Sequence, residues 1–286
     1  MNNNTNIFDS MAKNPKEILL GSLLVAAFFI FYGNLSSHNP GIEAKDKIKK
    51  ANAYITTASQ QSNIGKKDSL LLVADNLLSE VSYRKQPYWH ASRAYSYMVK
   101  GKLDSAYMDL RNASKFNQSQ KLISREIKNF MNFTISRLSI NYINNGINEN
   151  AYALAKEGLA MNPNNSDLYN VKGVYFTRVG NLDSALVSFQ QAMKFNPNNK
   201  AARDNLFNLF VGQANKGFKD NNMQYAISML WNAEKMDPKN INVLLLLGKA
   251  HININDSRMA SYYLNKVLEV DKNNTQAKDL LRRIGQ

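Results

Sequence analysis

Residues 166–199 read SDLYNVKGVYFTRVGNLDSALVSFQQAMKFNPNN, and this stretch decides the fold. Its core, Gly180-Asn181-Leu182-Asp183-Ser184-Ala185, repeats an earlier segment, Gly101-Lys102-Leu103-Asp104-Ser105-Ala106. Aligned outwards, the unit is 34 residues long, with Tyr169 at position 4, Gly173 at 8, Phe176 at 11, Gly180 at 15, Ala185 at 20, Phe189 at 24, Ala192 at 27 and Pro197 at 32. The small residues at 8, 20 and 27 allow two antiparallel helices to approach closely. The large apolar residues at 4, 11 and 24 fill the space between them at helical spacing. Glycine at 15 ends the first helix in a left-handed conformation, and proline at 32 stops the second.

Further copies follow in phase. Residues 132–165 hold Ile135, Tyr142, Gly146, Ala151 and Pro163, and residues 207–240 hold Phe210, Ala214, Ala226, Ala233 and Pro238, with Asn221 in the turn. Residues 241–274 hold Leu244, Leu247, Gly248 and Ala260, and residues 87–120 hold Ala94, Tyr97, Gly101, Ala106, Leu110 and Ala113. A degenerate copy spans 51–84 with Tyr54, Ala58, Gly65, Ala74 and Leu77, and residues 275–286 read as a polar-faced capping helix. The alanines at position 20 fall at Ala106, Ala151, Ala185, Ala226 and Ala260, so two of the four steps exceed 34, by 11 and by 7 residues. Those excesses are close to three and two whole helical turns. The inserted stretches, 121–131 and 200–206, lack glycine and proline. They are therefore expected to lengthen a first helix without rotating its apolar face.

This pattern resembles the tetratricopeptide repeat, with Lys172 at position 7 as the departure in the best copy. The resemblance covers about 80% of the chain and implies an all-α solenoid of five to six helical hairpins plus a capping helix, over 51–286. It implies a partner-binding groove lined by first-helix positions 2, 5, 9, 12 and 13. Carried across by register, these are Asn144, Asp167, Asn170, Thr177, Arg178, Asn208, Asn215, Phe218, Lys219, Asn242, Lys249 and Asn253, with Tyr88, Tyr95, Met98 and Val99 upstream. The expected partner is a protein or peptide, extended or helical, and an acidic one given Arg178, Lys219 and Lys249. The ordinary alternative is a set of solvated residues in an Asn-rich chain, since 40 of the 286 residues are asparagine. The lysine and asparagine clamp by which some relatives hold chaperone carboxylates is absent, its places being taken by Asn170, Val174, Gly212, Asn242 and Leu246.

Ahead of the repeats, residues 18–37 carry no charge, and Ile18 to Tyr32 is apolar throughout. The 18 residues from Ile18 to Leu35 would span about 27 Å as a helix, enough for a bilayer core. The expected order is therefore a polar tail over 1–17, a transmembrane helix over 18–37, a juxtamembrane segment over 38–50 and the repeats. A cleaved signal ending at Leu35-Ser36-Ser37 and a buried core helix are the competing readings. Lys13 and Lys16 lie nearer the apolar run than Lys45, Lys47, Lys49 and Lys50 do. That proximity favours a single-pass protein of the inner membrane with the repeats outside the cytoplasm, and a cytoplasmic repeat domain is the alternative.

Composition removes other classes. The chain has no cysteine, which excludes disulfides and thiolate sites, and its histidines, His38, His90 and His251, are far apart. Phosphate-loop, zinc-protease and nucleophile-elbow motifs are missing, so neither an enzyme nor a cofactor is expected. The net charge of +14 is spread along the repeats without an Arg-rich run, so nucleic acid is not an expected partner. Together these features point to a membrane-anchored interaction scaffold in a bacterial envelope assembly or secretion system. The alternative is a periplasmic or secreted binding or chaperone module released by cleavage.

Overall fold

A computed structural model describes residues 42–81, 87–115 and 121–285. These form thirteen α-helices and no strand. The helices are α1 (Ile42–Ser59), α2 (Ile64–Ser79), α3 (Pro87–Val99), α4 (Leu103–Lys115), α5 (Lys121–Asn144), α6 (Asn148–Met161), α7 (Ser166–Arg178), α8 (Leu182–Phe195), α9 (Lys200–Lys219), α10 (Met223–Met236), α11 (Ile241–Asn253), α12 (Ser257–Val270) and α13 (Thr275–Arg283). Successive helices pair as hairpins, giving a tetratricopeptide-like solenoid fold that divides into two compact units, Met1–Pro163 and Asn164–Gln286.

Short side chains and special turn residues set the hairpins. Gly101, Gly146 and Gly180 take φ between 75° and 78°, and Asn221 and Asn255 take the same turn position at 54° and 60°. Asparagine is the side-chain-bearing residue that tolerates this region best. Behind each of these turns a backbone N–H reaches five residues back, as from Asn181 to Phe176 (2.9 Å) and Asn222 to Gly217 (2.8 Å), which satisfies carbonyls the helix leaves open.

The asparagine content has a structural use as well. Asn63, Asn165, Asn181, Asn199, Asn222, Asn240 and Asn274 are helix N-caps whose side-chain oxygens accept first-turn N–H groups. Each such cap is worth about 1 kcal/mol. Ahead of four of these caps the chain leaves the preceding helix through an extended residue, Asn162, Asn196, Asp237 or Asp271. Proline follows the first three and imposes that conformation. Lys272 follows the fourth without changing it.

The two insertions extend first helices. Helices α3, α7 and α11 have 13 residues each, α5 has 24 and α9 has 20. The added lengths equal the excess spacings of 11 and 7.

The first hairpin departs from the expected register. Helix α1 begins at Ile42, so residues 42–50, expected as a juxtamembrane segment, are its first turns. A buried stripe of Ile48, Ala51, Ile55 and Ala58 runs back past Ala51, and Lys47 pairs with Glu43 at 2.9 Å across one turn. Helix α2 buries Leu71, Ala74 and Leu78, and Gly65 lies in its first turn instead of ending α1. Among the described residues no helix is long and apolar enough to cross a membrane. The expected span at 18–37 lies outside the described residues.

Candidate protein-interaction surface

In the first unit the face expected to line a groove is partly covered by the chain itself. The extra turns of α5 lie against α3. Ile127, 1% exposed, packs with Ala91, Ala113 and Tyr88. The ring of Phe130 meets that of Tyr95 edge-on at 6.4 Å, and the Thr134 hydroxyl reaches the Met98 sulfur at 3.4 Å. Tyr95 is 4% exposed, and its hydroxyl donates to Ser59 Oγ at 3.4 Å. Register had placed Tyr88, Tyr95, Met98 and Val99 on an open surface. The correction is that α5 packs on α3 through Ile127, Phe130 and Thr134, so that Tyr95 is buried and Tyr88 and Met98 are half-buried. Asn144 is exposed at the last residue of α5.

The same unit holds a buried charge cluster that no motif signalled. Asp109 on α4 is 2% exposed. Arg93 of α3 donates to it through Nε (2.6 Å) and Nη2 (2.5 Å), and His90 Nδ1 lies 3.2 Å from Oδ1. Burial pushes the Asp109 carboxyl up, but the hydrogen bonds from Arg93 and His90 outweigh it and hold the group below its usual range. The Arg93 guanidinium also sits 4.2 Å above the Trp89 ring, and Trp89 Nε1 donates to the Leu78 carbonyl at 2.8 Å. With both carboxylate oxygens occupied, the cluster clamps α3 to α4. Among the described residues no group of acidic and histidine side chains is arranged to hold a metal ion.

In the second unit the first helices α7, α9 and α11 keep an exposed polar strip. Thr177 and Arg178 are exposed at the end of α7, with the Thr177 hydroxyl donating to the Gly173 carbonyl of its own helix at 2.9 Å. Asn208, Asn215 and Lys219 are exposed along α9, and Phe218 is half-buried against the core. On α11, Asn242 and Asn253 are exposed and Lys249 is half-buried. Asn170 is spent elsewhere. Its carbonyl accepts from Asn205 Nδ2 at 2.9 Å, while Asn199 donates to Ser166 Oγ (2.8 Å) and to Asp167 (3.1 Å). The added turns of α9 thus cover the start of α7 and leave its end open.

Charge divides between the two helix sets of this unit. Helices α7, α9 and α11 carry seven basic and two acidic residues, whereas α8, α10 and α12 carry four and three. The second-helix side instead exposes aromatic surface at Trp231 and Tyr262 (43% and 52%), tied into the hairpins. Trp231 Nε1 donates to the Tyr263 hydroxyl at 2.9 Å, and Lys266 pairs with Glu234 at 2.5 Å.

Residues 241–274 match the sequence profile of the tetratricopeptide repeat. A TPR repeats protein from Bacteroides fragilis is similar in structure at 13% identity, covering 70% of this chain and 98% of its own, with a TM-score of 0.50. PilF of Pseudomonas aeruginosa aligns at 14% identity over 83% of this chain and 99% of its own, with a TM-score of 0.43. YrrB, described as a TPR protein with an unusual peptide-binding site, aligns at 15% identity over 73% and 97%, with a TM-score of 0.42. No curated protein matches the sequence. At 13% identity the likeness to the Bacteroides fragilis protein speaks to the fold alone, and the described residues form a tetratricopeptide-like solenoid.

Proposed function

We propose that this chain is a membrane-anchored scaffold that recruits a protein or peptide partner through the first-helix face of its second unit. The observation that carries the reading is the contrast between the units. The insertion on α5 partly covers the face of α3, while α9 and α11 keep Asn208, Asn215, Lys219, Asn242 and Asn253 exposed. Amides supply both a donor and an acceptor, which suits the main chain of an extended segment. The surrounding lysines and arginines suit an acidic one.

Replacing Asn208, Asn215, Lys219 and Lys249 together with alanine tests this assignment. Partner capture by cross-linking in native membranes should be lost, with the thermal midpoint within a few degrees of the unchanged protein. Capture that persists while the fold survives refutes it.

Support for the anchor comes from the uncharged run at 18–37. Support for an extracytoplasmic repeat domain comes from Lys13 and Lys16 close to that run. In this reading the protein works by offering a surface within a bacterial envelope assembly and performs no chemistry. The full-length chain should remain with the membrane pellet after alkaline carbonate washing. A mature N-terminus near His38 by mass spectrometry would instead establish the released module, for which Leu35-Ser36-Ser37 is the candidate cleavage site. A reporter active only in the cytoplasm, fused at the C-terminus, would reverse the orientation if it worked.

A further inference from the structure

Most glycines of the second unit are explained by their surroundings. Gly180 and Gly285 occupy left-handed turns. A Cβ on Gly173 would lie 2.3 Å from Phe189, on Gly248 2.8 Å from Leu264, and on Gly217 2.9 Å from the Ala226 backbone. Gly212 has no such reason. It sits in the middle of the 20-residue α9, is exposed, has ordinary helical φ, and nothing lies within 4 Å of a Cβ built on it. Glycine in a helix interior weakens the helix relative to alanine, so the residue costs stability without serving the packing of its own chain.

Its place on α9 supplies the missing reason. Asn208, Gly212, Asn215 and Lys219 follow one another at spacings of four, three and four residues. They therefore share one face of the helix, the face turned away from the buried Leu206, Phe210, Ala214 and Gly217. All four are exposed. The helix itself carries Lys200, Arg203, Lys216 and Lys219 against Asp204 alone, and Asp204 is paired with Lys200 at 3.0 Å. Taken together, the strip is a notch without a side chain, bracketed by two amides, on a cationic helix.

We infer that Gly212 is the point of closest approach for the main chain of an extended, acidic peptide segment, with Asn208 and Asn215 hydrogen-bonding its backbone on either side and Lys216 and Lys219 meeting its carboxylates. The inference rests on the assignment of the second unit's first-helix face as the binding surface, and it fixes the partner class and the seat. A missing Cβ lets another backbone come nearer than any side chain would allow. Amides on both sides offer the donor and acceptor pair that a single strand of main chain presents.

The test uses the full chain in detergent micelles, with a displayed library of random dodecapeptides as the probe. The selected sequences should be rich in aspartate and glutamate. Gly212→Leu should weaken their binding by about tenfold or more, and Gly212→Ala should weaken it less. Neither substitution should lower the thermal midpoint, and Gly212→Ala should raise it by a few degrees, because the helix gains and no packing is disturbed. A merely structural glycine would show that rise with no change in binding. If Gly212→Leu binds as tightly as the unchanged protein while Asn215→Ala with Lys219→Ala does not, the surface stands and the seat at Gly212 is wrong. Selected peptides without acidic character overturn the partner class. Selection of no peptide, or binding insensitive to every variant of the strip, overturns the surface and the seat together.

Discussion

Arg93→Met is expected to lower the stability of the first unit towards the lower end of the about 3–5 kcal/mol that breaking a buried ion pair costs, since His90 still faces the carboxylate and the guanidinium is partly exposed. Asp109 is 2% exposed, and Arg93 supplies two of the donors that hold its carboxylate. Removing the guanidinium also uncovers the Trp89 ring beneath it. Arg93→Met combined with Asp109→Leu should recover most of the loss, since a buried ion pair replaced by apolar side chains is often neutral. The measurement is urea unfolding followed by tryptophan fluorescence. The chain has two tryptophans, Trp89 in the first unit and Trp231 in the second, so a Trp231→Phe background reports the first unit alone.

The pH dependence of this difference is a second handle. The folded-state pKa of Asp109 is lowered, so its contribution is fully present above the ordinary aspartate range and is lost as pH falls through the lowered value. The gap between the unchanged protein and Arg93→Met should therefore narrow in acid. A variant within about 0.5 kcal/mol of the parent at neutral pH would mean that the cluster is not the clamp of α3 on α4.

Sequence alone reveals the hairpins because their determinants are local. A glycine or asparagine in the left-handed region, an asparagine cap and small residues at three positions all act within one 34-residue unit. The insertions are legible for the same reason, since whole helical turns preserve the phase of a buried stripe and produce helices of 24 and 20 residues. Where the reading falls short, the contact is between units of the repeat. Ile127 and Phe130 reach back to Tyr88 and Tyr95 on α3, and no spacing within either segment announces that meeting. Asn170 has groove register and exposed chemistry, but its amide is claimed by Asn205 from the next repeat. The first hairpin misleads in a different way. Gly65 imitates the turn glycine of a repeat but lies inside α2, while the buried Ile48, Ile55, Ala58, Leu71, Ala74 and Leu78 set the phase of α1 and α2.

Gly173→Ala should destabilise the second unit by about 2 kcal/mol, although alanine is the better helix former by nearly 1 kcal/mol. The added Cβ would stand 2.3, 2.4 and 2.7 Å from three carbons of the Phe189 ring, and that ring is 1% exposed and enclosed by the core. At such distances the buried ring and α7 must shift apart, and the overlap outweighs the gain in propensity. Phe189→Leu removes the obstructing ring atoms and by itself costs stability through lost burial. In that background Gly173→Ala should become neutral or stabilising, a reversal of sign that a general weakening of the helix could not produce. Unfolding followed through Trp231 in a Trp89→Phe background measures both values, and a higher midpoint for Gly173→Ala in the otherwise unchanged protein would sink the argument. Helix α7 also carries Thr177 and Arg178 at its exposed end. If the first-helix face binds a partner, displacement of α7 should weaken capture in the single variant and restore it in the double. Binding would then follow the separation of two packed helices through a residue pair that touches no ligand.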